Sequence, residues 1–252
     1  MQWSLFATNL PYLLVGAFPD GPLGGAALTL VLAATSAFAS ALLGLAGGIA
    51  LALTGRVLRI PLLAVIGFFR AIPVLMLIFW TYFLLPVVFH VDVPGLAAVV
   101  CALSLIGGAY LAHSVHAGIL AVGEGQWQAA LSLGFTRVEA LRYVLLPQAI
   151  RIMAPSFVNQ WVSLVKDTSL AYIVGVGELS FVATQISNRL MVYPAQIFLF
   201  VGLIYLLMCT ALDRLAMYWL TRPARIAASG VHTAGGDILA GRGADARDGT
   251  PG

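Results

Sequence analysis

The sequence predicts an all-α fold, a multi-pass transmembrane helical bundle. Three observations carry this. Of 252 residues, 61% are apolar and only 9% are charged, where a soluble domain carries roughly 25% charged residues. Mean hydropathy is +0.98, so there are too few ionic side chains to coat a water-facing surface. The apolar residues also come in long blocks, and a helix needs about 20 of them to cross a bilayer. A soluble globular protein is excluded, and so is disorder outside the tail.

Taken in order, residues 1–23 hold one ionised side chain, Asp20, and no Lys or Arg precedes Arg56. A cleaved secretory leader needs a positive n-region, so this stretch is expected to be retained as a periplasmic or interfacial segment. Trp3, Phe6 and Tyr12 permit an interfacial helix without requiring one. The apolar body is 24–220. Its first span, 24–53, has no charge; the second, 61–89, has one, Arg70; the third is 94–120. The fourth, 155–183, is less apolar and holds Lys166, Asp167 and Glu178, and the fifth is 194–220. Residues 221–252 are rich in Gly, Ala, Asp and Arg, including Gly235, Gly236, Gly241, Gly243 and Gly249. With little to bury, they predict a disordered cytoplasmic tail.

Five spans put the termini on opposite sides. With the N-terminus outside, the inside receives ten arginines: Arg56, Arg59, Arg137, Arg142, Arg151, Arg214, Arg222, Arg225, Arg242 and Arg247. The outside receives Arg189 alone. The positive-inside rule selects this N-out, C-in orientation. Because the cations sit at the ends of apolar runs, the net charge of +3 does not indicate nucleic acid. Cys101 and Cys209 lie singly inside apolar runs and form neither a metal spacing nor a disulfide framework.

Residues 121–154 form the longest internal loop. Gln126 to Leu131 reads as a short helix ending near Gly134, and Thr136 with Glu139 has the spacing of a capping box that starts a second helix. Val138, Leu141 and Leu145 then share one face, and Pro147 ends or kinks the helix. Two short helices at a glycine bend make a compact knob with an apolar face. Two occupants of that face remain open, the rest of this chain or a separate protein.

The knob resembles the cytoplasmic motif of bacterial importer permeases of the ATP-binding-cassette (ABC) class. That motif runs Glu-Ala-Ala, three residues, Gly, nine residues, Ile, one residue, Leu-Pro. Here Gln128-Ala129-Ala130 is followed by Gly134, Val144, Leu146 and Pro147 at those spacings; Gln128 replaces Glu and Val144 replaces Ile. Asn159 and Lys166-Asp167-Thr168-Ser169-Leu170 are similar to the polar amino-acid uptake permeases. So is Arg70-Ala71-Ile72-Pro73, where that family often has Arg-Gly-Thr-Pro, and the likeness covers roughly 24–220. The Arg-Ala-Ile-Pro variant looks most like permeases for glutamate and aspartate.

The resemblance implies a permease subunit in the bacterial inner membrane. Its partners would be a cytoplasmic ATPase, a second permease subunit (the same or a similar chain), a periplasmic amino-acid-binding protein and membrane lipid. Gln128, Ala129, Ala130, Gly134, Leu146 and Pro147 would dock the ATPase, and Arg70, Pro73, Lys166, Asp167, Thr168 and Ser169 would line the substrate path or its gate. No cofactor is expected on this chain. A phosphate-binding P-loop needs a lysine after glycine, and the one lysine, Lys166, stands between Val165 and Asp167. ATP and Mg would therefore be used by the partner, and the chain itself is expected not to be an enzyme.

Ionised groups inside a membrane are costly and usually functional. In straight helices Arg70 and Lys166 would lie about 14 Å and about 17 Å from the cytoplasmic side. With Asp167 they would leave the midplane net positive, which favours a carboxylate-bearing cargo. Alternatively, Arg70 and Asp167 form a structural ion pair and Lys166 caps a broken helix. His113 and His116, three residues apart, are expected to pack rather than to bind metal. Two rival functions are a secondary transporter or channel without an ATPase, which predicts inverted repeats, and a membrane-embedded hydrolase or ligase, for which no nucleophile–base pair is found.

Overall fold

The structure, a computed structural model, describes residues 3–190 and 194–245. It is built of helices: α1 Trp3–Val15, α2 Gly25–Leu53, α3 Arg56–Ala71, α4 Val74–Phe89, α5 Gly95–Ala121, α6 Glu124–Ser132, α7 137–167, α8 Leu179–Leu190 and α9 Pro194–Asp245. A 3-10 stretch, Thr168–Val174, continues α7.

The centre of the fold is the pair α2–α5, and small residues make it. Ser36, Ser40, Gly44 and Gly48 recur every four residues along one face of α2, all buried. Between helices in lipid there is no hydrophobic drive, so close backbone approach and van der Waals contact must hold the pair. A Cβ at Gly44 would lie 2.4 Å from Leu111 Cβ, and one at Gly48 would lie 2.5 Å from Val115 Cβ. From the other side, a Cβ at Gly107 would meet Ser40 Cβ at 2.9 Å. The paired numbers rise together, so α2 and α5 run parallel.

Parallel packing constrains everything between them. The chain must return from Leu53 to Gly95 across the full length of the bundle, and α3 and α4 make that return. The expected straight helix over 61–89 is corrected here: the helix starts at Arg56 and breaks at Ile72-Pro73, with a bend of 101° between α3 and α4. The cause is local. A residue before proline is pushed out of the α region, and Ile72 sits at φ −75°, ψ 133°.

Proline also explains two wide turns. Trp80–Leu84 and Ala140–Leu145 are π-helical, and each lies just before a Leu-Pro pair, Leu85-Pro86 and Leu146-Pro147. A proline clashes with the carbonyl four residues back and cannot donate to it. Widening the preceding turn relieves both problems without ending the helix. Pro147 therefore neither ends nor sharply kinks α7. The helix runs on unbroken over 137–167, and the apolar stretch expected to begin at Pro155 is its second half, with Pro155 inside the helix.

α7 packs antiparallel to α5, with Ala149 and Met153 near Gly118 and Leu164 near Gly107. After the 3-10 stretch the backbone leaves helical geometry at Gly175 (φ +77°) and meets the start of α2, where Gly25 N–H donates to Gly177 O at 2.9 Å. Glu178 thus belongs to a turn and not to a span. α1 is a helix held at this same end, with Tyr12 Oη donating to Gln185 of α8 at 2.7 Å and Arg189 over the Tyr12 ring. α9 then passes down the outside: only 11% of its apolar window is buried, against 61% for α5. The α9 backbone remains helical to Asp245, over a stretch whose composition predicts disorder. Residues 246–252, with Arg247, lie outside the described residues, as do the side chains of Arg222, Arg225 and Arg242.

Candidate functional site

The knob is the best-formed local structure that the sequence encodes. α6 ends in a Schellman motif: Phe135 N–H donates to Ala130 O at 3.2 Å and Gly134 N–H to Leu131 O at 3.0 Å. That motif needs a residue of positive φ, and Gly134 supplies it at +89° with no atom within 4 Å of where a Cβ would stand. Its role is conformational, not steric. Thr136 then caps α7 in the expected capping box. The Glu139 carboxylate accepts from Thr136 N–H at 2.8 Å and from the Thr136 hydroxyl at 2.7 Å, and Thr136 Oγ1 accepts from Glu139 N–H at 3.3 Å. The two bonds to the carboxylate, the backbone one foremost, hold it below its ordinary range. The cap is therefore intact at neutral pH and is lost as pH falls through that lowered pKa.

The rest of this chain covers much of the knob's apolar side. Ala130, Ala140, Leu141 and Leu145 are buried together with Val115 and Ile119 of α5 and Ala149 and Met153 of α7. The knob is thus welded to two long helices of its own chain. Val138 does not join that face as expected; it is 59% exposed, because the π turn at Ala140–Leu145 shifts the helical register. Leu133, Phe135 and Val138 are left as exposed apolar side chains beside exposed Gln128 and Ala129. Of the six residues expected to dock a partner, Ala130 is buried inward and Leu146 is half-buried, while Gln128, Ala129, Gly134 and Pro147 face out.

The three ions expected at the midplane are not brought together. Arg70 lies in the last turn of α3, beside the bend and not inside a straight span. Its guanidinium stands 5.2 Å from the Tyr110 ring, and Tyr110 Oη donates to Arg70 O at 3.3 Å. Among the described residues it forms no ion pair with Asp167, so the structural pair considered from sequence is not present. Lys166 is exposed and Asp167 half-buried at the end of α7. Thr168 opens the 3-10 stretch, buried, with its hydroxyl on Val165 O at 2.7 Å. Ser169 is half-buried and Pro73 exposed at the bend. Arg70 and Lys166 are each presented outward, toward whatever faces this chain. His116 is buried against Arg59, Nη2 to Nε2 3.4 Å, and His113 is exposed.

One polar joint has no clear sequence signal. Glu178 is fully buried and is the N-cap of α8. It accepts from Ser180 N–H and Phe181 N–H, each at 2.9 Å, and from Tyr205 Oη of α9 at 2.8 Å. Leu179 N–H donates to Thr29 of α2 at 3.2 Å. The Glu178 carboxylate thus ties α8 to α9, and the neighbouring Leu179 N–H ties the same turn to α2, at the end away from the knob. Glu178→Ala leaves three donors unpaired at about 1–3 kcal/mol each, and we expect thermal unfolding in detergent to shift by more than 5 °C. Glu178→Gln keeps an acceptor and should lose less. An unshifted Glu178→Ala melt would show that this joint carries no stability.

Residues 44–222 match the family described as binding-protein-dependent transport system inner membrane component. The chain is 38% identical over 158 residues to a probable amino-acid ABC transporter permease, PatM, of Vibrio harveyi, covering 60% of this chain and 70% of that one. It is 32% identical over 180 residues to the glutamine transport system permease GlnP of Escherichia coli, covering 71% and 78%. Its fold is similar to the crystal structure of an amino acid ABC transporter with histidines, at TM-score 0.76 and 26% identity over 88% of this chain and 99% of that one. The fold likeness extends to the MetNI methionine ABC transporter, at TM-score 0.67 and 21% identity over 77% and 92%. The chain therefore belongs to the inner membrane components of binding-protein-dependent transport systems: it is a multi-pass permease subunit of the amino-acid ABC type, a transport protein and not an enzyme.

Proposed function

We propose that this chain forms half of the membrane path of an ATP-driven importer for a polar amino acid, with acidic amino acids favoured. The observation that carries the reading is the knob. It is rigidly capped at both turns, fused by its buried side to α5 and α7, and leaves Leu133, Phe135 and Val138 uncovered. A partner ATPase that grips the uncovered side moves two long helices at once. Nucleotide can drive transport only by binding two such arrangements unequally. ATP and Mg belong to that partner, and this chain binds no cofactor.

Among the described residues three helices, α2, α5 and α9, are long and apolar enough to cross a membrane, and the bent pair α3–α4 makes a fourth if it is one span; with α7 as the fifth crossing, the knob lies in the cytoplasm. The weakly buried outer face of α9 and the outward Arg70 and Lys166 fit a second permease copy, identical or similar, enclosing one path. A periplasmic binding protein delivers the cargo to the Glu178 end. Relatives are named for glutamine and for cystine transport, so the acidic preference rests on this chain's own two outward cations. Pro73, which sets the bend beside Arg70, and Asp167, Thr168 and Ser169, which set the end of α7, position those cations.

The test is uptake in vesicles with ATPase activity followed in parallel. Arg70→Ala and Lys166→Ala should each lower glutamate uptake by at least tenfold, partly restored by more substrate, with basal ATP hydrolysis and assembly unchanged. Equal loss of glutamate and glutamine uptake would overturn the acidic preference. Unchanged uptake in both variants would remove these residues from the path.

A further inference from the structure

A cavity lies at the root of the knob. It measures about 470 Å³ and is walled by the ends of α2 and α5, the starts of α3 and α7, and α6, within the range of about 300–1,000 Å³ typical of small-molecule sites. Its polar wall holds Arg59, Arg137, His116, Gln128, Thr54 and one carboxylate, Glu124. Among the described residues neither arginine is ion-paired, and Arg59 reaches only the buried His116 at 3.4 Å. The rim beside the basic wall is apolar and uncovered: Leu120 is 65% exposed, and Val57, Leu58 and Ile60 flank Arg59 at 82%, 67% and 65% exposed.

We infer that this cavity binds the phosphate headgroup of an anionic membrane lipid, with its acyl chains lying along Val57, Leu58, Ile60 and Leu120. Two guanidiniums offer the forked donors that phosphate oxygens accept. Basic pockets between helices at the cytoplasmic surface recognise such headgroups, and that leaflet is negatively charged. A free phosphate would use the arginines but leave the apolar rim unexplained; an amphiphile uses both. Bound there, the lipid bridges α3, which carries Arg70, and the start of α7, next to the knob. The inference rests on the knob facing the cytoplasm, but its test does not depend on orientation.

The full chain is melted in neutral detergent with added phosphatidylglycerol, phosphatidylcholine or inorganic phosphate. Phosphatidylglycerol should raise the midpoint by several degrees more than phosphatidylcholine, and inorganic phosphate should not raise it. Arg59→Gln with Arg137→Gln should abolish the difference, while Arg214→Gln keeps it. Should the double variant fold poorly, Glu124→Gln provides the opposite arm: removing the wall's one carboxylate should lower the half-saturating phosphatidylglycerol concentration at least threefold. Equal shifts from the two lipids, an unaltered response in the arginine variant, or weaker binding in Glu124→Gln would each overturn the proposal. A shift reproduced by inorganic phosphate would identify a free anion as the ligand instead. Loss of the shift on adding the ATPase would identify a partner side chain as the occupant.

Discussion

Replacing Gly48 with Leu is expected to abolish accumulation of the folded permease, and Gly44→Leu to do the same. At both positions even a Cβ would stand within 2.5 Å of a Cβ on α5. The obstacle is not the tip of a flexible side chain: Ala112 O lies 2.9 Å from the Gly48 position and the Leu111 carbonyl carbon 3.2 Å from the Gly44 position. Relief requires the two central helices to move apart. Overpacking a tight core costs about 1–3 kcal/mol and sometimes more, and here the penalty falls on the pair around which the other helices are arranged. In lipid, no gain in apolar burial offsets the separation. The check is the monodisperse fraction of detergent-extracted protein by size exclusion, with Gly202→Leu as control. Gly202 is exposed and has no atom within 4 Å of its Cβ position, so that control should extract normally. Normal yield of Gly48→Leu would show that α2 and α5 do not meet as described.

The second large effect concerns the knob. Gly134→Val should release the ATPase while leaving the bundle assembled. A β-branched side chain at φ +89° is a backbone outlier, and a left-handed conformation costs an L-residue roughly 1–2 kcal/mol. The Schellman turn would open and the α6–α7 angle would change, but Val115, Ile119, Ala149 and Met153 remain packed on their own helices. Leu133→Asp tests the same surface without touching the turn. Leu133 is 79% exposed, so the substitution costs the fold little, yet it places a charge in the centre of the exposed apolar patch. Co-purification with the ATPase should fall at least tenfold in both variants. If Leu133→Asp retains the full complex, the patch is not the docking surface.

The knob was legible because every part of it is local. A Schellman glycine, a capping box four residues long and a Leu-Pro pair are decided within single turns, where backbone sterics and near hydrogen bonds dominate. The apolar blocks were legible for a related reason: bilayer thickness, not tertiary contact, sets their length. The register within the knob was not legible. Val138 leaves the face of Leu141 and Leu145 because of a π turn, and a π turn is a compromise between Pro147 and the pull of packing on both sides.

What sequence alone determined was therefore the class, the arginine asymmetry that points to an orientation, and the capped two-helix segment of the knob. Tertiary structure decided where the charges go. The depth of Arg70 depended on a straight helix, and a bend of 101° at Ile72-Pro73 turned that distance into a position at an elbow beside Tyr110. Glu178, counted along the chain, lies in an apolar block; in the fold it caps α8 and accepts from Tyr205 of α9. Arg59 and His116 are 57 residues apart, and nothing in either neighbourhood signals that α3 and α5 bring them to one cavity. The physical reason is the same in each case. Helix propensity, capping and hydropathy act over a few residues, while the partner of a charge is chosen by how whole helices pack, and here packing follows from four small residues on α2.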